Sequence, residues 1–293
     1  MAQPIFRLDT EPDGLAALTF DLPGRRVNLF TREALEELAA TVEALGRRRD
    51  LSCLIFLSAK RDSFCHGVDV DLLADLEGVD QATAGSRAGQ DILLAWERLP
   101  FPTIAAIEST CMGGGTELAV ASTYRLVADR PDLRIGLPEM RLGILPAWGG
   151  CVRLPRLIGL EEALGMILTA KSIPPAKALR LGLADALLPV DGFRRHAREF
   201  ALARVQEPSR RHGEADLREL LLEKNPLGRR LLLDQARKRT LERSRGRYPA
   251  PVRTLEVLRI ALDKGAKAGF AAEVRALGEL ATDRVSKNLI HGF

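Results

Sequence analysis

Apolar residues come first in short blocks and then at helical spacing. "LAALTF" at residues 15–20 has the length of a strand, and Pro23-Gly24 in "DLPGRRVN" marks the turn after it. Thr31 stands as an N-cap before Leu35, Leu38, Ala39, Val42 and Leu45, which recur at helical spacing until Gly46. "LSCLIFLS" (51–58) and "FPTIAAIE" (101–108) are continuously apolar, the pattern of strands buried on both faces. Between them, residues 61–76 read as a loop entering a helix, and 85–98 as a further helix. "YRLVAD" (124–129) predicts a strand, "LRIGLPE" (133–139) an extended segment and "LPAWGG" (145–150) a turn. Residues 155–170 predict one helix with Leu164, Ile167 and Leu168 in the core. A short helix over 174–182, opened by Pro174 and Pro175, comes next, and then a last strand, "ADALLPV". Strands and helices thus alternate to about residue 190, which is α/β architecture. After Asp191-Gly192 the chain turns rich in Arg, Leu, Glu and Ala with helical periods, so residues 1–190 form a predicted core and 191–293 a helical C-terminal region.

One stretch breaks the pattern. "CMGGGTELAVAS" (111–122) sets three glycines before a glutamate and a run of small apolar residues. Glycine is entropically costly in regular structure, and a buried carboxylate is costly too. A dinucleotide fingerprint needs G-x-G-x-x-G; Gly113 and Gly115 match, but Leu118 holds the third place. Glu117 would also stand where a pyrophosphate must lie, and like charges repel there. Two readings stay open: a structural turn packed closely on a neighbour, or an oxyanion hole. In the second, unpaired N–H donors at a helix N-terminus polarise a carbonyl, and Glu117 one turn away moves a proton on an adjacent atom. "FCHGVD" (64–69) offers a second donor, the N–H of Val68 after a turn at Gly67, unless it is only a capping loop. Glu139, after Pro138, is either a surface residue or the second member of an acid/base pair with Glu117.

Composition narrows the class. With 46% hydrophobic and 28% charged residues in 293, the chain can bury a substantial core. No apolar run approaches the roughly 20 residues of a membrane span, and the start lacks a secretory layout, so a cytoplasmic protein without a membrane partner is expected. The four cysteines and four histidines are scattered, which argues against a disulfide framework or a metal site. No G-K-[ST] follows the glycines, which removes a P-loop. The net charge of +4 suits an anionic small molecule or nucleic acid without choosing between them.

"RRVNLFT", "SFCHGVDVDLL", "STCMGGGTELAVASTYRLVA", "LRIGLPEMRLGILPAWGG" and "RLPRLIG" together, in this order and spacing, resemble the crotonase (enoyl-CoA hydratase/isomerase) family. The form of the last two stretches, with "RGRYPAPVRTLEVLRIAL" and "SKNLIHGF", is most similar to the N-terminal hydratase part of multifunctional fatty-acid oxidation α-subunits. The resemblance implies a fold of repeated strand-strand-helix units with a helical C-terminal region. It implies that the N–H groups of Val68 and Gly114 hold an acyl-CoA thioester oxygen, with Glu117 and Glu139 as the catalytic pair. Cys65, His66, Gly67, Asp69, Gly113, Pro146, Ala147 and Trp148 fall in the matching substrate- and CoA-binding stretches. For His66, a ligand contact and a purely structural role both remain open. The implied reaction is hydration of trans-2-enoyl-CoA in β-oxidation, with Δ3-Δ2 enoyl-CoA isomerisation at the same site. The alternatives are isomerisation alone, acyl-CoA hydrolysis, or a non-catalytic RNA-binding or scaffold role. No cofactor is implied, because coenzyme A is part of the substrate.

Two departures from the family pattern stand out: Val68 where alanine is common, and Ala147 beside bulky Trp148 where the turn usually has glycine. Eight basic residues between Arg229 and Arg247 face only Asp234 and Glu242. This is a solvated helix face or an attraction for CoA phosphates; Tyr248 is the only aromatic nearby, which argues against nucleic acid. Expected partners are copies of the same chain, or a hydroxyacyl-CoA dehydrogenase unit and a thiolase subunit if the chain is part of a larger complex.

Overall fold

The computed structural model describes residues 3–206 and 225–292, so residues 207–224 and Phe293 of the predicted helical region lie outside the described residues. The chain divides into two compact units. The first contains residues 3–69, 91–136 and 173–206; the second contains 70–90, 137–172 and 225–292.

The first unit is built on a six-stranded sheet of β1 (Phe6–Thr10), β2 (Leu15–Phe20), β3 (Cys53–Ser58), β4 (Thr103–Ile107), β6 (Tyr124–Ala128) and β8 (Ala186–Leu188), in that spatial order. β1 pairs antiparallel with β2, and every other pairing is parallel. The continuously apolar runs sit in mid-sheet, and every residue of β3 and β4 is buried, as such runs require. β5 (Cys111–Met112) and β7 (Ile135–Gly136) form a separate two-stranded parallel sheet. Helix α1 (Arg32–Gly46) starts where predicted, with the Thr31 side chain accepting from the Ala34 N–H, and α8 (Phe193–Gln206) packs against β3, β4 and β8. Phe20 and Phe30 stack at 5.5 Å, while Phe64 and Trp96 meet Phe56 edge-on at 5.5 and 5.7 Å. Phe64 ties this aromatic cluster to the loop that carries residues 63–69.

The second unit is helical. α2 (Val70–Ala74), α5 (Gly150–Ile158) and α6 (Leu160–Thr169) belong to it, with α9 (Pro226–Ser244), α10 (Pro249–Lys264), α11 (Ala266–Ala281) and α12 (Arg284–His291). α10 and α11 pack on each other and on α5, α9 covers α6 and α10, and α12 meets α2 and the 3-10 turn Glu139–Leu142. Among the described residues three further helices complete the set: α3 (Val79–Glu97), α4 (Gly114–Ala121) and α7 (Pro175–Arg180). The architecture is the mixed α/β fold of repeated strand and helix units, with a helical C-terminal region, that the sequence predicts.

Local differences have local causes. The single helix expected over 155–170 is two, because Gly159 adopts φ 83° and interrupts the ladder between α5 and α6. Helix α3 starts at Val79 rather than near residue 85, because residues 79–85, "VDQATAG", mix small and polar residues and offer no stripe of large apolar ones. The hydrophobic pattern gives no sign of β1: it is an edge strand, and Phe6 alone of its residues is buried.

Candidate active site

The loop after β3 is fixed by a short ladder to residues 28–30. The His66 N–H donates to the Asn28 carbonyl (2.9 Å), the Phe30 N–H to the Gly67 carbonyl (2.8 Å), and the Asp69 N–H to the Phe30 carbonyl (3.1 Å). Val68 is bracketed by the last two bonds. The Gly67–Val68 peptide is planar and trans, so the Val68 N–H points opposite to the Gly67 carbonyl, away from Phe30.

The same loop is laced to the glycine run. Phe64 N–H donates to the Thr110 carbonyl (2.9 Å) and Met112 N–H to the Cys65 carbonyl (2.8 Å). Gly67 has φ 91°, and a Cβ there would lie 3.2 Å from the Gly114 amide nitrogen and 3.3 Å from the Met112 carbonyl. A Cβ on Gly115 would meet the Cys65 Cβ at 2.7 Å and its carbonyl at 2.8 Å, closer than side chains come. The glycines thus serve a close approach of two backbone segments. The packed-turn reading is correct for Gly115, and it leaves the role of Gly114 open. Gly113 caps α4 with φ 54°, and the Glu117 N–H closes the first helical bond to its carbonyl at 3.0 Å. The Gly114 amide therefore belongs to the unpaired first turn. Among the described residues, neither the Val68 nor the Gly114 N–H donates a hydrogen bond.

Every residue of α4 is buried, including Glu117 at 3% exposure, in the turn just behind the Gly114 amide. Thr116 anchors the helix start, its hydroxyl donating to the carbonyls of Cys111 (3.0 Å) and Gly136 (2.9 Å). Cys65 and Cys111 are fully buried free thiols; burial pushes both up, Cys111 to about 12, so neither is a nucleophile at neutral pH. His66 is half-buried, its Nε2 is buried without a hydrogen-bond partner, and burial holds its pKa below the ordinary value. Asp69 is paired with Arg25 at 3.5 Å. Cys65, His66, Gly67, Val68, Asp69, Gly113, Gly114 and Glu117 all belong to the first unit.

Glu139, Pro146, Ala147 and Trp148 belong to the second unit. Glu139 is half-buried and opens the 3-10 turn, which closes on Gly143; the Ser286 hydroxyl donates to the Gly143 carbonyl at 2.6 Å, and the Tyr248 hydroxyl donates to the Met140 carbonyl. The 145–150 turn is held by buried polar side chains. Ser86 and Gln90 donate to the Ala147 carbonyl (3.3 and 3.4 Å), and Arg153 donates to that of Trp148 (2.7 Å). Glu273, with no exposed surface, accepts from the Val152 N–H and from the Gln90 amide, each at 3.1 Å. Sequence reasoning does not single out Ser86, Gln90, Arg153 or Glu273. Glu273 carries a signal, an acid in helical phase with Phe270, Leu277 and Leu280.

The family described as Enoyl-CoA hydratase/isomerase matches residues 10–216. The chain belongs to this family. It is similar to an enoyl-CoA hydratase from Geobacillus kaustophilus, with 26% identity over 82% of this chain and 90% of that one and a TM-score of 0.65. A monofunctional enoyl-CoA isomerase from M. smegmatis shows 26% identity over 71% and 87%, with a TM-score of 0.55. The human mitochondrial delta3-delta2-enoyl-CoA isomerase, at 21% identity, shares the fold over 98% and 96% with a TM-score of 0.69. The protein is thus an enzyme of the crotonase type, acting on acyl-CoA by hydration or isomerisation. Among the described residues no helix is long and apolar enough to cross a membrane.

Proposed function

We propose that the protein is an enoyl-CoA hydratase that adds water to trans-2-enoyl-CoA and also isomerises Δ3- to Δ2-enoyl-CoA. The observation that carries this reading is the pair of uncommitted amides, Val68 and Gly114, on backbone segments in close contact, with a buried glutamate in the turn behind one of them. Both N–H groups donate to the thioester oxygen, which gains charge as the reaction proceeds. One such donor is worth about 10²–10³ in kcat.

Glu117 and Glu139 act as the acid/base pair. Water oxygen bonds to C3, the C2=C3 electrons move into an enolate held by the two amides, and one carboxylate takes the water's proton. The other, entering as the acid, returns a proton to C2, so atoms and charge balance. Isomerisation uses the same two amides to hold a dienolate: a proton leaves C2 of the 3-enoyl thioester and one is delivered to C4. Pro146, Ala147 and Trp148 shape the water and acyl side, and Cys65 to Asp69 with Gly113 border the CoA thioester.

Loss of enoyl absorbance with crotonyl-CoA tests the reading. Wild type is expected to hydrate it, and Glu117→Gln and Glu139→Gln are each expected to lower kcat by about 10²–10⁴ with the fold intact. Isomerisation of a 3-enoyl-CoA without hydration would reduce the activity to isomerase alone. CoA binding without any turnover would make the chain a non-catalytic relative.

A further inference from the structure

Asn28 sits in "RRVNLFT", a stretch to which the proposed chemistry gives no task, yet it has no exposed surface and uses every polar group it has. Its Oδ1 accepts from the Leu22 N–H at 2.9 Å. Its Nδ2 donates to the Phe20 carbonyl and the Ser58 hydroxyl, both at 2.9 Å, with the Phe64 carbonyl further off at 3.4 Å. Its N–H donates to the Ser63 hydroxyl at 3.1 Å, and its carbonyl accepts from the His66 N–H at 2.9 Å. The Ser58 hydroxyl in turn donates to the Ser63 carbonyl. The side chain therefore joins the end of β2 to the end of β3 and touches the loop at Phe64, while the Asn28 backbone holds the loop at Ser63 and His66.

The segment just after Asn28 gives this hub a direction. Two residues on, Phe30 grips the Gly67 carbonyl and the Asp69 N–H, so the peptide that presents the Val68 N–H is held on both sides from this one segment. A loop needing only closure would be served by fewer bonds; here both the ends of the loop and its angle are set. Buried polar networks with every member satisfied are rigid, and a donor that must meet a developing charge benefits from that rigidity.

We propose that Asn28 is a positioning residue for the oxyanion hole. Its side chain anchors the segment on Phe20, Leu22 and Ser58, and the backbone of that segment at Asn28 and Phe30 then holds His66, Gly67 and Asp69, which sets the angle of the Gly67–Val68 peptide and so the aim of the Val68 N–H. This rests on the reading of Val68 and Gly114 as thioester donors. It predicts a defect in polarisation of the thioester rather than in its capture.

The readout is a chromophoric thioester, para-dimethylaminocinnamoyl-CoA, whose absorption moves to longer wavelength as its carbonyl is polarised. Wild type is expected to produce the shift. Asn28→Ala is expected to lose at least half of it and to lower kcat for crotonyl-CoA by roughly tenfold or more, with KM within about threefold of wild type. Ser58→Ala, which removes the hydroxyl that accepts from the Asn28 amide and leaves Asn28 in place, is expected to show a smaller loss in the same direction; it decides the matter if Asn28→Ala does not fold. A wild-type shift retained in full by the folded variants overturns the role of Asn28 alone. A wild type that neither shifts the probe nor turns over enoyl-CoA overturns the reading of the hole, and this proposal with it.

Discussion

Gly115 and His66 show how narrow the tolerances around the glycine run are. A Cβ at 115 would stand 2.8 Å from a backbone carbonyl, which cannot swing aside as a side-chain tip could. Gly115→Ala is therefore expected to cost roughly 1–3 kcal/mol of stability and to reduce crotonyl-CoA hydration more than tenfold, because Cys65 and the loop it belongs to must retreat from α4. Urea unfolding and the absorbance assay read the two effects; a stable, fully active variant would mean that the close approach is not needed. His66 gives a pH signature. Burial depresses its native pKa below the ordinary 6.5, so the unfolded chain binds more protons as pH falls through that value. Its contribution to stability is thus complete above about pH 7 and declines between 6.5 and the depressed native value. Wild type is expected to lose more stability than His66→Gln between pH 7.5 and 5.5, measured by urea unfolding, and parallel losses would count against a buried neutral imidazole. At this scale the three glycines and Glu117 left two readings open, a packed turn and unpaired donors beside a carboxylate, and the structure assigns Gly115 to the first. What the chain did not reveal was which glycine served packing. That depends on the close approach of Cys65, which is distant in sequence.

At the scale of elements, pattern worked where burial was one-sided or complete and failed where it was weak. β3 and β4 were legible because mid-sheet strands are apolar throughout; β1 was not, because an edge strand buries little, and the α5–α6 break hid behind an unbroken apolar period across Gly159. The network around the 145–150 turn was hidden for another reason: its polar members come from α3, α5 and α11, each with one or two acting residues on an otherwise ordinary helix. Glu273 is the centre of that network. Removing its carboxylate leaves the Val152 N–H at the start of α5 and the Gln90 amide without this acceptor. Glu273→Ala is expected to cost roughly 2–4 kcal/mol, and Glu273→Gln less, since an amide oxygen still accepts one of the two bonds. Equal losses for the two substitutions in urea unfolding would show that the negative charge of the carboxylate, not its capacity to accept a hydrogen bond, holds the turn.

For the molecule as a whole, the change of texture near residue 190 is a change of composition, and the packing of the second unit runs across it. α5 and α6 precede that point, but the helices that pack on them, α9, α10 and α11, all come after it. Within this unit Val152, Leu154, Leu160, Met166 and Ile167 are buried, and Glu273 reaches back to Val152. A helical period shows that such residues want cover, yet it does not name the helix that supplies it, so this dependence was out of reach of the chain alone. A chain ended after Val190 would keep α2, α5 and α6 and lose every one of those later helices. Each large apolar side chain left exposed forfeits roughly 1.5–3 kcal/mol, and several together exceed the marginal stability of a domain. Residues 1–190 are therefore expected to bind ANS and to unfold without a cooperative transition, where the full chain unfolds sharply. A sharp thermal transition with intact near-UV circular dichroism in the shortened chain would show instead that the strand-bearing part folds without its helical complement, and that the helices after 190 serve assembly or substrate rather than the core.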